Sequence, residues 1–419
     1  MLNITRNFLL ASLLVVATAG ASDEEPLTQA QLTLDDLRTF TDVFNQIRNN
    51  FVEEIDDREL LNAAIRGMLS DLDPHSSYME ADEFKEMDND FRGRYSGIGV
   101  ELSLRDGEIK VVFVIPGGAA DEAGIVVGDV ITAVNGTDLR DKDQQLAINA
   151  LRGEAGSEVD VTFEHANGEV STRTLTRDFV KVDSVFSRPV DEDYGYFQIA
   201  RFTRKSAEEL GEQIEYMRQN RSAPLKGFVL DLRGNPGGVL KPAVDIADGF
   251  LEQGLIVETR GRAAHQATYM AQAGSWLPGI PMVVLVDRRS ASASEVLAGA
   301  LQDHGRALIV GERTFGKGSV QSVLNLRNGS GMRLTTSRYY TPAGRSIQAE
   351  GIRPDIEIPL VQAIEEGDGH RREADLDRHL DSEADTDNEA FESMVSPLDD
   401  YAMYQALLLL KGASALAPS

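Results

Sequence analysis

Cysteine is absent from the 419-residue chain. Its absence excludes disulfides, a thiol nucleophile and thiolate metal sites together. A chain of this length needs no such staples, because two or three domains can each bury an adequate core. Histidine is scarce: six residues, none at His-x-x-x-His or similar spacing. A zinc site therefore has no support, and neither a metal nor another cofactor is expected. Positive charge is outweighed, with 41 Lys and Arg against 68 Asp and Glu and a net charge of −27. Nucleic acid, which needs a basic face, is excluded as a partner. Long apolar runs are lacking except at the start. There Arg6, the stretch Phe8 to Val16 and Ala17-Thr18-Ala19-Gly20-Ala21 supply the positive, apolar and cleavage regions of a secretory signal over residues 1–21. The run is short for a membrane span, so export to a periplasm or similar space is expected, with an uncleaved membrane anchor as the alternative. No cysteine stands beside the cleavage point, which excludes a lipoprotein.

The acids are unevenly spread. Glu365 to Asp400 holds fourteen acids and three basic residues, 3 − 14 = −11, with few large apolar groups. Residues 363–397 read as a disordered, solvated spacer, the steering of basic partners being the alternative. Residues 398–412 follow as a helix whose Tyr401, Tyr404, Leu407, Leu408 and Leu410 dock on the body or on another subunit. At the other end, residues 28–94 are helical in pattern. Leu34, Leu37, Phe40, Val43 and Phe44 recur at three- and four-residue spacing, as do Leu60, Leu61, Ala64, Ile65 and Met68. Leu72-Asp73-Pro74-His75-Ser76-Ser77-Tyr78 then breaks the helix. His75 is a candidate base, against the plainer role of a turn that caps neighbouring backbone.

From Ser96 the pattern changes to short strands. Gly97-Ile98-Gly99-Val100-Glu101-Leu102 leads to Ile109 to Val114. A small-residue helix, Pro116 to Ile125, precedes Gly128-Asp129-Val130-Ile131 and Val134-Asn135-Gly136. This series, in this order, resembles a PDZ domain over residues 95–177. The resemblance implies a groove between a strand and a helix that takes an extended peptide as an added strand, the amides of Gly97, Ile98 and Gly99 cradling its terminal carboxylate. The alternative is a small β-domain with a turn-rich loop.

From Val180 onward strands and helices alternate, which builds an α/β core with ligand sites at the carboxyl ends of its strands. Met282-Val283-Val284-Leu285-Val286 reads as a buried parallel strand. It runs into Ser290-Ala291-Ser292-Ala293-Ser294-Glu295, and then into a helix from Val296. Small residues at such a turn expose a hydroxyl where the first helical N–H groups point outward. A serine there attacks a carbonyl once its proton is removed. Lys317, in Gly316-Lys317-Gly318-Ser319-Val320-Gln321, can remove it when burial lowers its pKa from about 10.4 towards neutrality. The pair reads as a serine–lysine hydrolase, although the serine run alone also fits a structural turn. Gly234-Asn235-Pro236-Gly237-Gly238 lacks both the nucleotide P-loop ending and the dinucleotide fingerprint. It fits an oxyanion hole or, equally, a tight strand-to-helix turn.

Asp231 to Gly238, Ser290 to Glu295, Gly311 to Gly318 and Tyr340-Thr341-Pro342-Ala343-Gly344-Arg345-Ser346-Ile347-Gln348 occur in the order seen in carboxyl-terminal processing proteases. With the PDZ series and the Leu72–Tyr78 motif, residues 35–360 resemble this tail-specific family of serine–lysine peptidases. The resemblance implies a multidomain α/β fold. A crotonase-like α/β protease core over 178–362 carries an inserted β-rich PDZ domain behind a helical N-terminal region. It makes Ser292 the nucleophile, with Ser290 and Ser294 as rivals, and Lys317 the general base oriented by Gln321. A helical turn over 317–321 would put both side chains on one face. The amide of Ala293 and that of Gly237 or Gly238 would form the oxyanion hole, with Glu295 hydrogen-bonded within the site.

The implied activity is that of an exported serine endopeptidase acting on C-terminal or unfolded polypeptide tails. Its partners are polypeptides with exposed C-termini; an adaptor or activating protein and a homo-oligomer are further candidates. Arg152, at the PDZ edge, is a candidate regulatory contact or a plain surface arginine. Two other functions compete. A silenced, peptide-binding scaffold would not need Ser292, Lys317 and Gln321 together, and a crotonase-like acyl hydrolase of small molecules would not need a peptide groove.

Overall fold

The computed structural model describes residues 32–358, apart from 106, 141, 143 and 263–265, and residues 400–416. The expected signal and acidic spacer lie outside the described residues. Among those residues, no helix is long and apolar enough to cross a membrane. The chain divides into two compact units, Met1–Gly67 and Met68–Ser419.

The first unit holds the helix Leu34–Asn50 and the start of the helix Asp57–Ser70. Thr33 and Asp36 cap the former reciprocally, Thr33 N–H to Asp36 Oδ2 at 2.8 Å and Asp36 N–H to Thr33 Oγ1 at 3.2 Å. Its apolar positions follow helical spacing, but Leu34, Leu37, Phe40 and Val43 are exposed.

In the second unit the central sheet runs in the order Val185–Pro189, Tyr194–Ile199, Gly227–Asp231, Met282–Val286, Leu308–Gly311 and Ile356–Glu357. Every pairing is parallel except the first. Gly227–Asp231 and Met282–Val286 are buried throughout, because both faces of the sheet are covered. On one face Phe197, Phe228, Leu230 and Val284 join a core with the helices Ser206–Gln219, Leu240–Phe250 and Ala293–Asp303. On the other, Val229, Val283, Leu285 and Val310 meet the terminal helix Tyr401–Leu416 through Met403, Ala406, Leu407 and Leu410. That helix therefore docks on the body. Of the residues expected to dock, Leu407 and Leu410 are buried, whereas Tyr401 and Leu408 are exposed. Leu410 lies where a Cβ on Gly227 would stand only 3.0 Å from its Cδ2. Arg233 anchors the start of the helix with two 2.8 Å bonds to the Asp400 carboxylate.

A second sheet joins Ser77–Met79, Gly331–Tyr340, Gly254–Gly261 and Ala267–Ala271, with Ser319–Asn325 also paired to Gly331–Tyr340. The PDZ-like region has its own sheet, in the order Val100–Arg105, Glu108–Val114, Val130–Val134, Glu158–Glu164 and Val170–Thr176, and its own core. It is entered and left through one antiparallel ribbon, Arg94–Gly97 against Asp178–Lys181.

Leu410→Ala should cost about 3 kcal/mol through the cavity it leaves under the terminal helix. A lowered denaturant midpoint with an unchanged slope would register it.

Candidate active site

Ser292 is the residue immediately before the helix Ala293–Asp303, with φ +56° and ψ −112°. A residue bearing a Cβ pays roughly 1–3 kcal/mol to sit there, so the surroundings must hold it. Ser290 Oγ donates to Leu232 O at 2.8 Å and Ser294 Oγ to Asn235 O at 3.0 Å. Both rival serines are thus buried and tied to the glycine loop. Of the three, only Ser292 lines the adjoining cavity of about 480 Å³, together with Lys317, Gln321, Gly237, Gly238 and Tyr339.

Glu295, fully buried one turn into the helix, binds both candidate segments, those of Ser292 and Lys317. Its Oε2 accepts the N–H groups of Ser292 at 2.7 Å and Lys317 at 2.9 Å. Its Oε1 accepts the Thr314 hydroxyl and the Gly316 N–H, each at 2.6 Å. Burial pushes its pKa up against the pull of these donors. Three of the four are backbone N–H groups, which only donate and so suit an ionised carboxylate.

Lys317 is half-buried, and its pKa lies below the ordinary lysine value. Burial is the main cause and the Arg333 guanidinium the second, while Glu295 and Asp73 pull the other way. Lys317 and Ser292 share the cavity wall, with no hydrogen bond between their side chains among the described residues. The helical turn over 317–321 that would put Lys317 and Gln321 on one face is not formed. Ser319–Asn325 is a strand, with a register shift between Val320 and Gln321. Alternating residues followed by the Asn328-Gly329 turn favour a hairpin instead. Gln321 nevertheless lines the cavity, its Nε2 donating to Ser319 Oγ at 2.9 Å and to Thr335 Oγ1 at 3.3 Å.

The glycine loop narrows the candidate oxyanion donors. Gly237 donates its N–H to Asn235 Oδ1 at 2.9 Å, which removes it as a free donor. Gly238 and Ala293 give their N–H groups to no protein acceptor among the described residues. Gly238, at φ +140°, admits no side chain, since a Cβ would lie 2.1 Å from Phe202 O. Tyr339 was not anticipated. Its ring is buried beside Ser292, its hydroxyl pKa pushed up by that burial. It directly precedes the Tyr340–Gln348 motif. Arg333, also missed, lies on the same strand.

His75 does not line this cavity. Asp73 caps its turn by accepting the N–H groups of His75 at 2.8 Å and Ser76 at 3.0 Å, the plainer of the two roles expected for that turn. Gly97, Ile98 and Gly99 line a separate cavity of about 960 Å³, whose other walls are Gly117–Ala123 and Arg173–Lys181. Gly99, at φ +83°, separates the strand Arg94–Gly97 from the strand Val100–Arg105. Val100–Arg105 is an edge strand, bridged to the helix Gln144–Leu151 by Gln144 Nε2 to Leu102 O at 2.7 Å. Arg152 lies over the Tyr95 ring at 5.3 Å and does not line the Ser292 cavity.

Family models match residues 193–358 as peptidase family S41, 110–164 as a PDZ domain and 12–83 as the activating protease CtpB N-terminal domain. The carboxy-terminal-processing protease of Bartonella bacilliformis is 38% identical over 413 residues, covering 97% of this chain and 94% of its own length. The chain belongs to the carboxy-terminal-processing proteases of peptidase family S41. Carboxy-terminal processing protease CtpA of Bacillus subtilis is 33% identical, over 76% of this chain and 68% of its own. A solved photosystem II D1 C-terminal processing protease is 33% identical, with coverages of 76% and 86% and a TM-score of 0.47. As an S41 member the protein is a serine-type peptidase with a PDZ domain and mixed α/β content.

Glu295→Gln turns an amide N–H₂ towards donors that only donate. It should destabilise the fold by about 3 kcal/mol and lower activity, read by chemical denaturation and peptide hydrolysis.

Proposed function

We propose that this S41 peptidase cleaves polypeptides by a Ser292–Lys317 mechanism on a crotonase-like core. The observation that carries the reading is one cavity wall holding Ser292 in a strained turn and Lys317 in surroundings that disfavour its ammonium form. Neutral Lys317 Nζ takes the Ser292 Oγ proton as Oγ bonds to the substrate carbonyl carbon. The amides of Gly238 and Ala293 donate to the resulting oxyanion. As the C–N bond breaks, Lys317 returns its proton to the leaving amine, and the acyl-enzyme remains. Water then attacks the acyl carbon, giving its proton to Lys317, and as the C–Oγ bond breaks Lys317 passes that proton to Ser292 Oγ. Gln321 orients Lys317 through its side-chain amide.

The substrates are C-terminal or unfolded tails, taken at the PDZ edge strand and the Gly97–Gly99 loop. The amino-terminal sequence fits export to a periplasm-like compartment. The helical amino-terminal region suits an activating partner or a second copy of the chain, and Arg152 would act only once peptide is bound.

With an unfolded polypeptide bearing an apolar C-terminus, the parent should cleave, while Ser292→Ala and Lys317→Ala should not, each checked for folding. Cleavage surviving in Lys317→Ala would overturn the lysine-base assignment. The pH profile offers an independent test, since the base must be neutral. The rate should rise with pH through a midpoint below the ordinary lysine value of about 10.4. Arg333→Met removes a neighbouring positive charge and should move that midpoint upward.

A further inference from the structure

The Leu72–Tyr78 motif carries no proton in the chemistry above, though the Asp73 charge acts on Lys317, and its turn is laid along the strand that faces Gln321. Ser77 pairs with Arg333, whose Nε donates to His75 O at 3.1 Å. Thr335 N–H donates to Ser76 Oγ, also at 3.1 Å. Asp73 accepts the Ser76 hydroxyl at 2.7 Å besides capping its own turn. One more donor reaches it from the strand, the Thr335 hydroxyl at 3.1 Å. Thr335 is in turn the ladder partner of Gln321, whose Nε2 lies 3.3 Å from that same hydroxyl oxygen.

A hydroxyl has one proton, and an ionised carboxylate only accepts. Burial pushes the Asp73 pKa up, but the hydrogen bonds it accepts outweigh this and hold it below the ordinary value, so it is ionised at neutral pH. Thr335 therefore spends its proton on Asp73 and offers Gln321 a lone pair. Gln321 has to answer with its amide nitrogen, both of whose hydrogens go to Thr335 and Ser319. The Oε1 end has no partner among the described residues, in a side chain that lines the same cavity as Lys317. A carbonyl oxygen accepts from a lysine in either protonation state. A flipped amide would instead point hydrogens at the lysine and compete for the lone pair that takes the serine proton.

We propose that Asp73, acting through Thr335, is a positioning residue that sets which end of the Gln321 amide is offered to Lys317. The inference rests on the assignment of Lys317 as base and Gln321 as its orienting partner.

The test is steady-state hydrolysis of an unfolded polypeptide by Thr335→Val and Thr335→Ser, in the parent and in a Gln321→Met background that keeps Ser292 and Lys317. In the parent, Thr335→Val should lower kcat about tenfold, the size of one hydrogen bond to a charged group, with KM little changed. Thr335→Ser, which keeps the hydroxyl, should restore the rate. In the Gln321→Met background Thr335→Val should add nothing. An unaffected Thr335→Val, or a loss of equal size in both backgrounds, would overturn the inference, because a merely structural defect ignores residue 321. Lys317→Ala, assayed alongside, separates the two failures. Activity surviving it removes the base assignment and the inference together. An inactive Lys317→Ala with an unaffected Thr335→Val removes the inference alone.

Discussion

The candidate site depends on the Glu295 carboxylate. Burying an ion is costly unless donors replace its water, and here four do so at 2.6 to 2.9 Å. Two belong to the turns that carry Ser292 and Lys317, and two to the intervening loop at Thr314 and Gly316. Segments that are far apart in sequence are thereby referred to one anion. Because Glu295 sits in the first turn of the serine helix, its charge is also favoured by the helix N-terminus. The strain at Ser292 is sustained by this arrangement, since relaxing the backbone would break bonds to a buried charge.

Around this point the core uses small hydroxyl residues as ties. Ser290 and Ser294 look like nucleophiles in a list of residues but bond the carbonyls of Leu232 and Asn235. They clamp the glycine loop against the serine turn, at a spacing where a Cβ on Gly237 would lie 2.7 Å from Ala291 O. The loop's other flank is held through Arg233, which bonds both Asp231 and Asp400. The terminal helix, remote in sequence, thus braces the strand end from which the candidate oxyanion loop departs.

Much of the fold was legible in the sequence because its signals are local. Uniformly apolar strands, small-residue turns and helical spacing announced the parallel sheet, the serine turn and the terminal helix. The PDZ-like series was equally plain. Over residues 317–321 the i,i+4 spacing admits a helical turn, whereas the Asn-Gly turn beyond it favours a hairpin. Strand pairing across that turn outweighed any helical preference in so short a segment.

By itself the sequence determined which groups are available: no thiol, few histidines, one serine turn, one lysine loop and two glycines that tolerate close backbone approach. It determined the family as well, since long motifs in a set order do not depend on knowing contacts. Only the tertiary structure decided how those groups are used. Which serine opens to the cavity, which glycine keeps a free N–H and how the Gln321 amide is turned all depend on hydrogen bonds between segments distant along the chain. A donor's partner is a matter of space, and nothing local to Gly237, Ser294 or Gln321 specifies it.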